Sequence, residues 1–108
     1  METIKSSKDI DLIFKNGKKI YLPFLNIIIY KDDENKINGN VAFLAGKKNG
    51  NAVWRNRSKR RLREIYRELK IKKEYKTLLI ANKELNEWKF IDIMEKVKKE
   101  TKKYAESN

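Results

Sequence analysis

Histidine and cysteine are both missing from the 108 residues. Without cysteine there are no disulfides and no thiolate metal ligands, which fits a reducing compartment. Without histidine there is no imidazole for acid–base work, no paired-histidine route to RNA cleavage and no histidine–zinc site. A nuclease of this composition would have to rely on carboxylates and magnesium, and the acids are scattered among lysines with no compact constellation. A single proline and four glycines interrupt the chain. No repeat, low-complexity linker or shift in composition divides it, so residues 1–108 are expected to form one domain with one modest core. No apolar run approaches the ~18 residues of a spanning helix. The N-terminus, Met1-Glu2-Thr3-Ile4-Lys5, has no signal-peptide hydrophobic region. The expectation is a cytoplasmic chain with no membrane partner.

Acids are also few beside bases: 15 Asp and Glu against 27 Lys and Arg, a formal charge of +12. That balance favours a polyanionic partner, nucleic acid or a membrane surface. The lysines run the length of the chain, but every arginine (Arg55, Arg57, Arg60, Arg61, Arg63 and Arg67) lies between Gly46 and Leu69. Lysine suffices for charge, whereas arginine presents a planar fork that grips phosphate oxygens bidentately and stacks on bases. The segment reads as a glycine-bearing loop running into a helix. Gly46 and Gly50 loosen the backbone around Lys47 and Lys48, and Asn51 is the N-cap. On a wheel of 100° per residue, Ser58, Leu62, Ile65, Tyr66 and Leu69 share the face that packs on a sheet. Asn56, Lys59, Arg60, Arg63 and Arg67 form a basic flank, with Arg57 and Arg61 outward on the other side. A charge run is often only a solvated helix face. Here, however, Arg55 and Arg57 sit near the positive end of the macrodipole, and Glu64 and Glu68 are the only acids in the helix. Cations, free helix N–H groups and the Lys-Lys loop together make a phosphate site.

The flanking chain places this helix. Ser6-Ser7-Lys8-Asp9 has the form of a capping box, opening a short helix with Ile10, Ile13 and Phe14 on one face and Gly17 at its end. Residues 18–30 are extended, with Pro23 at a bend. Asn26 to Tyr30 is too apolar for a strand with one wet face, so either both faces are covered or one binds something. Lys31 to Lys36 is a polar loop, and Asn38-Gly39 predicts a hairpin with Val41 to Ala45 returning. Thr77 to Ala81 is a short buried strand. From Glu84 the pattern is helical, with Trp88, Ile91, Met94, Val97, Thr101 and Tyr104 on one side. The predicted architecture is an α/β (α+β) two-layer sandwich, a small mixed sheet with packed helices in the order α-β-β-β-α-β-α.

The run Lys47-Lys48-x-Gly50-Asn51-Ala52-Val53-x-Arg55-Asn56-Arg57-x-Lys59-Arg60-x-x-Arg63-Glu64 strongly resembles the signature of the bacterial ribonuclease P protein subunit. The length and element order are also similar from about residue 4 to residue 104. A strand–helix–strand unit ordinarily crosses over right-handed, and the resemblance implies the rarer left-handed form. It further implies a protein subunit of an RNA-based endoribonuclease that matures the 5′ end of transfer RNA. The RNA subunit would carry the catalysis with bound magnesium, and the protein would supply no catalytic side chain and no metal ligand. Lys47, Lys48, Asn51, Arg55, Asn56, Arg57, Lys59, Arg60, Arg63 and Arg67 would contact the ribonuclease P RNA. A cleft between the first helix and the sheet would hold the single-stranded 5′ leader of precursor tRNA. Phe14 matches the family's aromatic there, and Lys18, Lys19, Phe24 and Tyr30 are the further platforms and cations that leader binding calls for. The chain departs from the family at Ile10, where a second aromatic is usual, and at Phe43-Leu44-Ala45-Gly46, where small hydroxyl residues are usual.

Three rival readings remain. A ribosomal or other structural RNA-binding protein fits the composition equally well, and only the Arg-Asn-Arg constellation speaks against it. A helix-turn-helix reader of double-stranded DNA lacks a preceding helix. A membrane-surface helix would need the apolar face that the core uses.

Overall fold

The computed structural model describes residues 2–107. Its elements run α1 (Ser7–Asn16), β1 (Lys18–Tyr21), β2 (Leu25–Lys31), β3 (Val41–Leu44), α2 (Ala52–Leu69), β4 (Tyr75–Ala81) and α3 (Phe90–Thr101), with 3-10 turns at Lys47–Asn49, Leu85–Glu87 and Lys102–Tyr104. This is the order that the sequence pattern predicts. Ser6 caps α1 by accepting from the Asp9 N–H at 3.3 Å.

The four strands lie in the order β1-β2-β4-β3. Here the hairpin expected at Asn38-Gly39 is corrected: β2 and β3 are not neighbours. Strand β4 lies between them, antiparallel to β2 and parallel to β3. The loop between β2 and β3 therefore spans a gap one strand wide, and Asp32 organises it. Its carboxylate accepts from the N–H groups of Lys36 and Ile37. Gly39 does take a positive φ of 92°, but its turn is fitted to the N-terminal segment. A Cβ there would lie 2.6 Å from the Thr3 carbonyl oxygen. Beside it the Ile4 N–H donates to the Val41 carbonyl at 2.8 Å, so residues 2–4 cover part of the outer edge of β3.

Paired residues share a face of the sheet, and the register separates two apolar clusters. Leu25, Ile27, Ile29, Val41, Phe43, Leu79 and Ala81 face α2 and α3, where Leu62, Ile65, Leu69, Ile93, Met94 and Val97 meet them. Ile28, Ala42 and Leu78 face α1 through Ile13, with Ile4 and Ile37 closing the sides. Within Asn26 to Tyr30, both faces are covered at Ile27, Ile28 and Ile29, which are buried, whereas Asn26 and Tyr30 are half-buried. The layer of α2 and α3 covers one face fully, whereas α1 covers only part of the other.

Helix α3 begins at Phe90, not near Glu84, and Met94, Val97, Thr101 and Tyr104 are buried as the stripe predicts. Ile93 is fully buried and Ile91 is 74% exposed, so Ile91 does not belong to the core. The segment before α3 is a turn containing Leu85, which is buried, and Trp88, which packs edge-to-face on Phe24 at 5.0 Å.

Thr77 on β4 is fully buried, and its hydroxyl has no hydrogen-bond partner among the described residues. An unpaired buried hydroxyl costs about 1–3 kcal/mol, and an isosteric methyl removes that penalty. Thr77→Val is expected to raise the urea midpoint with an unchanged slope. A lowered midpoint would show that the hydroxyl holds an interaction.

Candidate nucleic-acid interface

Helix α2 is built by a buried stripe and a cap. Asn51 accepts from the Trp54 N–H at 3.0 Å, and Ser58, Leu62, Ile65 and Leu69 are buried against the sheet and α3. Tyr66 stands at the edge of that stripe, and burial pushes its phenol above the ordinary range. The helix ends at Lys70, which takes the left-handed conformation at φ 50°. Docking of the apolar stripe leaves Asn56, Arg57, Lys59, Arg60, Arg63 and Arg67 exposed. The first turn holds no acid. Among the described residues the ion pairs are Lys31–Asp33 and Lys36–Glu34, both far along the chain from α2. Glu64 and Glu68 thus neutralise none of the arginines through a contact ion pair.

The arginines divide by what they touch. Arg55 donates from Nη1 to the Gly50 carbonyl at 3.1 Å, which fastens the preceding turn to the helix. Arg61 donates from Nη2 to the Trp88 carbonyl at 2.7 Å, and its guanidinium lies 5.8 Å from the centre of the Phe90 ring. It joins α2 to the start of α3. Arg63 lies over the ring of Phe43 at 5.3 Å, and Tyr66 meets that ring edge-on. Phe43 is therefore a core residue capped by a cation. Arg57, Arg60 and Arg67 make no hydrogen bond or ion pair within the described chain and offer all their donors to solvent.

The Lys-Lys segment is not the loosened loop that its glycines suggest. Lys47–Asn49 form a 3-10 turn, and Gly50 is fully extended at φ 174°. Glycine is required there by contact, because a Cβ would lie 2.6 Å from Cγ of Trp54. The turn presents Lys47 and Lys48 at fixed positions beside the N-terminus of α2, both exposed.

The residues expected in a second cleft fall into three places. Phe14 is partly exposed on α1, and Lys19, on the α1 face of β1, donates to the Phe14 carbonyl at 2.7 Å. Tyr30 is half-buried against the cluster under α1. Lys18 is corrected: it pairs with Ile29 and points to the opposite face. There the Lys103 ammonium is beside it, and hydrogen bonding and charge from that neighbour hold Lys18 below the usual lysine range. Phe24 is also corrected. It is 0% exposed and packed on Trp88, so no base can reach its ring.

Residues not expected from the sequence complete this surface. The register aligns Tyr21, Asn26, Ile80 and Leu44 in one row across all four strands. Tyr21 is 70% exposed and the other three are half-buried, whereas Ile28, Leu78 and Ala42 in the next row lie buried under α1. The row is the part of the sheet that α1 leaves open. It ends at Leu44, two residues before the Gly46 turn, so the two surfaces adjoin at the N-terminus of α2. The alternation of Lys19 and Tyr21 was the available signal, but the row depends on β4 lying between β2 and β3.

A family model described as Ribonuclease P matches residues 1–105. The Ribonuclease P protein component of Oceanobacillus iheyensis is 38% identical over 80 residues, covering 72% of this chain and 65% of that protein. That of Syntrophomonas wolfei is also 38% identical, over 72% of this chain and 66% of its own length. The matched region thus spans just under two thirds of the length of these relatives. Among solved structures, the RNase P protein from Thermotoga maritima superposes with a TM-score of 0.72 at 26% identity, covering 95% of this chain and 97% of that one. The RNase P protein of Staphylococcus aureus gives 0.74 at 21% identity, over 98% and 99% of the two chains, a likeness of fold.

The division of the arginines predicts two classes of variant. Changing Arg60 and Arg67 together to alanine should flatten the log–log salt dependence of structured-RNA binding by about two units, one for each lost phosphate contact, while the melting temperature stays within error. Arg61→Ala should instead lower stability by roughly 1.5–3 kcal/mol, the worth of a hydrogen bond from a charged donor. An unchanged salt slope in the double variant would remove the exposed flank of α2 from the interface.

Proposed function

The chain belongs to the Ribonuclease P family, and from that premise we propose that it is the protein subunit of the RNA-based enzyme that removes the 5′ leader of precursor tRNA. The observation that carries the reading is the arginine face of α2, which is fixed to the core on one side and unneutralised on the other. Arg57, Lys59, Arg60, Arg63 and Arg67, with Lys47 and Lys48 beside the helix N-terminus, bind phosphates of the ribonuclease P RNA and screen their mutual repulsion. Asn51 and Arg55 hold the turn and helix in register for that contact. The open sheet row beside α1 takes the leader. Phe14 and Tyr21 offer stacking platforms, Leu44 and Ile80 an apolar floor, and Lys19 a cation.

Magnesium held by the RNA would supply an activated water for hydrolysis of the phosphodiester. No group of three or more acids that could hold a metal ion converges among the described residues. Arginine holds phosphate but cannot serve as a base at its high pKa. The protein's own work is to bind and orient two RNAs, in the cytoplasm, where both are made. No helix of the described chain is long and apolar enough to cross a membrane. A general structural RNA-binding role is the second reading, and sequencing of the RNA that co-purifies with the chain separates the two.

Two outcomes are expected. Phe14→Ala and Tyr21→Ala, each first shown folded by circular dichroism, should weaken binding of precursor tRNA to the holoenzyme by roughly five- to a hundredfold, as about 1–3 kcal/mol per stacked base implies. Neither should change affinity for the RNA subunit or for mature tRNA. Equal losses for leader-bearing and leaderless tRNA would sink the cleft assignment. The protein alone with magnesium should cleave nothing, and added to its RNA it should lower the magnesium needed for cleavage. Cleavage by nuclease-free protein without RNA would overturn the reading.

A further inference from the structure

On the flank of α2 facing α3 there is a shallow pocket of about 250 Å³, lined by Arg57, Arg60, Arg61, Glu64, Asn86 and Phe90. Its parts are of unlike chemistry. Phe90 is a half-exposed aromatic, and Arg61 is fixed over that ring by its bond to the Trp88 carbonyl. Asn86 is held from below by donating to Oγ of the fully buried Ser58 at 3.0 Å. Arg57 and Arg60 stand at the rim without an internal partner, and Glu64 adds one carboxylate acceptor.

We propose that this pocket receives a single nucleotide unstacked from the structured RNA that α2 binds. The base stacks on Phe90 and the Arg61 guanidinium, and the flanking phosphates lie on Arg57 and Arg60. The proposal rests on the RNA-binding reading above and names the RNA feature that the α3 side of the helix takes. Three observations select this occupant. The volume lies below the ~300 Å³ at which small-molecule sites begin, so a free metabolite would be poorly enclosed. A nucleotide already tethered to bound RNA needs no such enclosure, because the tether supplies a high effective concentration. An aromatic and a guanidinium plane, both already positioned, offer π faces that any base can use. The rim cations are of the kind that grips phosphate bidentately. Glu64 adds a carboxylate that can accept from an amino or ring N–H on the edge of the base.

The test uses the full chain with ribonuclease P RNA and measures affinity across a salt series. Phe90→Leu keeps apolar volume at the start of α3 and removes the stacking face. Affinity should fall roughly five- to a hundredfold, with the salt slope and melting temperature unchanged, because no charge is lost. Arg57→Ala should flatten the slope by about one unit. Should Phe90→Leu melt early, the RNA side carries the test with the pocket intact. Ile91→p-benzoylphenylalanine, at an exposed position next to Phe90, marks the adjacent nucleotide by photocrosslinking. Replacing that nucleotide by an abasic residue should reproduce the loss of affinity. If the wild-type chain binds ribonuclease P RNA selectively but neither the folded Phe90→Leu variant nor the abasic RNA weakens the complex, the pocket is overturned and the functional reading stands. If the wild type shows no preference for that RNA over ribosomal RNA, the functional reading falls first and the pocket with it.

Discussion

The structure depends on the docking of one helix against its own electrostatics. Helix α2 carries all the arginines of the chain, with two glutamates among them, so its exposed face repels itself and its first turn opposes the macrodipole. An isolated helix of this composition has little reason to persist in water. It is held by Leu62, Ile65 and Leu69, buried against β3, β4 and α3, and by the Asn51 cap. Burying these residues, at about 1.5–3 kcal/mol each, offsets repulsion that the surrounding salt already weakens. The unneutralised charge is thereby kept available for a polyanion.

A division of labour among the arginines follows. Two of them, Arg55 and Arg61, turn inward to carbonyl oxygens and set the position of the helix relative to the preceding turn and the start of α3. Others point to solvent and can meet phosphate without breaking an internal contact. Arg63 stands between, its guanidinium on the ring of Phe43. Phosphate binding by a fixed array loses less side-chain entropy than binding by free chains. In the function proposed above, the residues that stiffen the array would contribute even where they touch no RNA.

Much of this was legible in the sequence because it is local. The 3.6-residue period placed Ser58, Leu62, Ile65 and Leu69 on one side, and the burial of all four follows it. The caps at Ser6 and Asn51 lie within three residues of their partners. The errors have equally local causes. Counting the α3 stripe from Trp88 reads Ile91 into it, but Trp88 precedes the helix, and Ile91 is rotated by about 200° from the buried Ile93 two residues on. Reading Gly50 as a hinge missed that a bulky neighbour, Trp54, leaves no room for a side chain. Phe24 looked available for stacking because an aromatic beside a proline carries no mark of its burial.

What the sequence determined by itself is the set of elements, the amphipathic split of α2 and the concentration of arginine on it, because each is written in spacings of three or four residues. Tertiary structure alone decided the strand order. The Asn38-Gly39 pair favours a tight turn, but the β2–β3 loop passes over β4, which pairs with both strands through residues more than thirty positions away from either. That insertion aligned Tyr21, Asn26, Ile80 and Leu44 into one open row, while the β1–β2 register turned Lys18 to the other face. Strand pairing joins residues across the whole chain, and a side chain's face depends on register with a partner that local periodicity does not name.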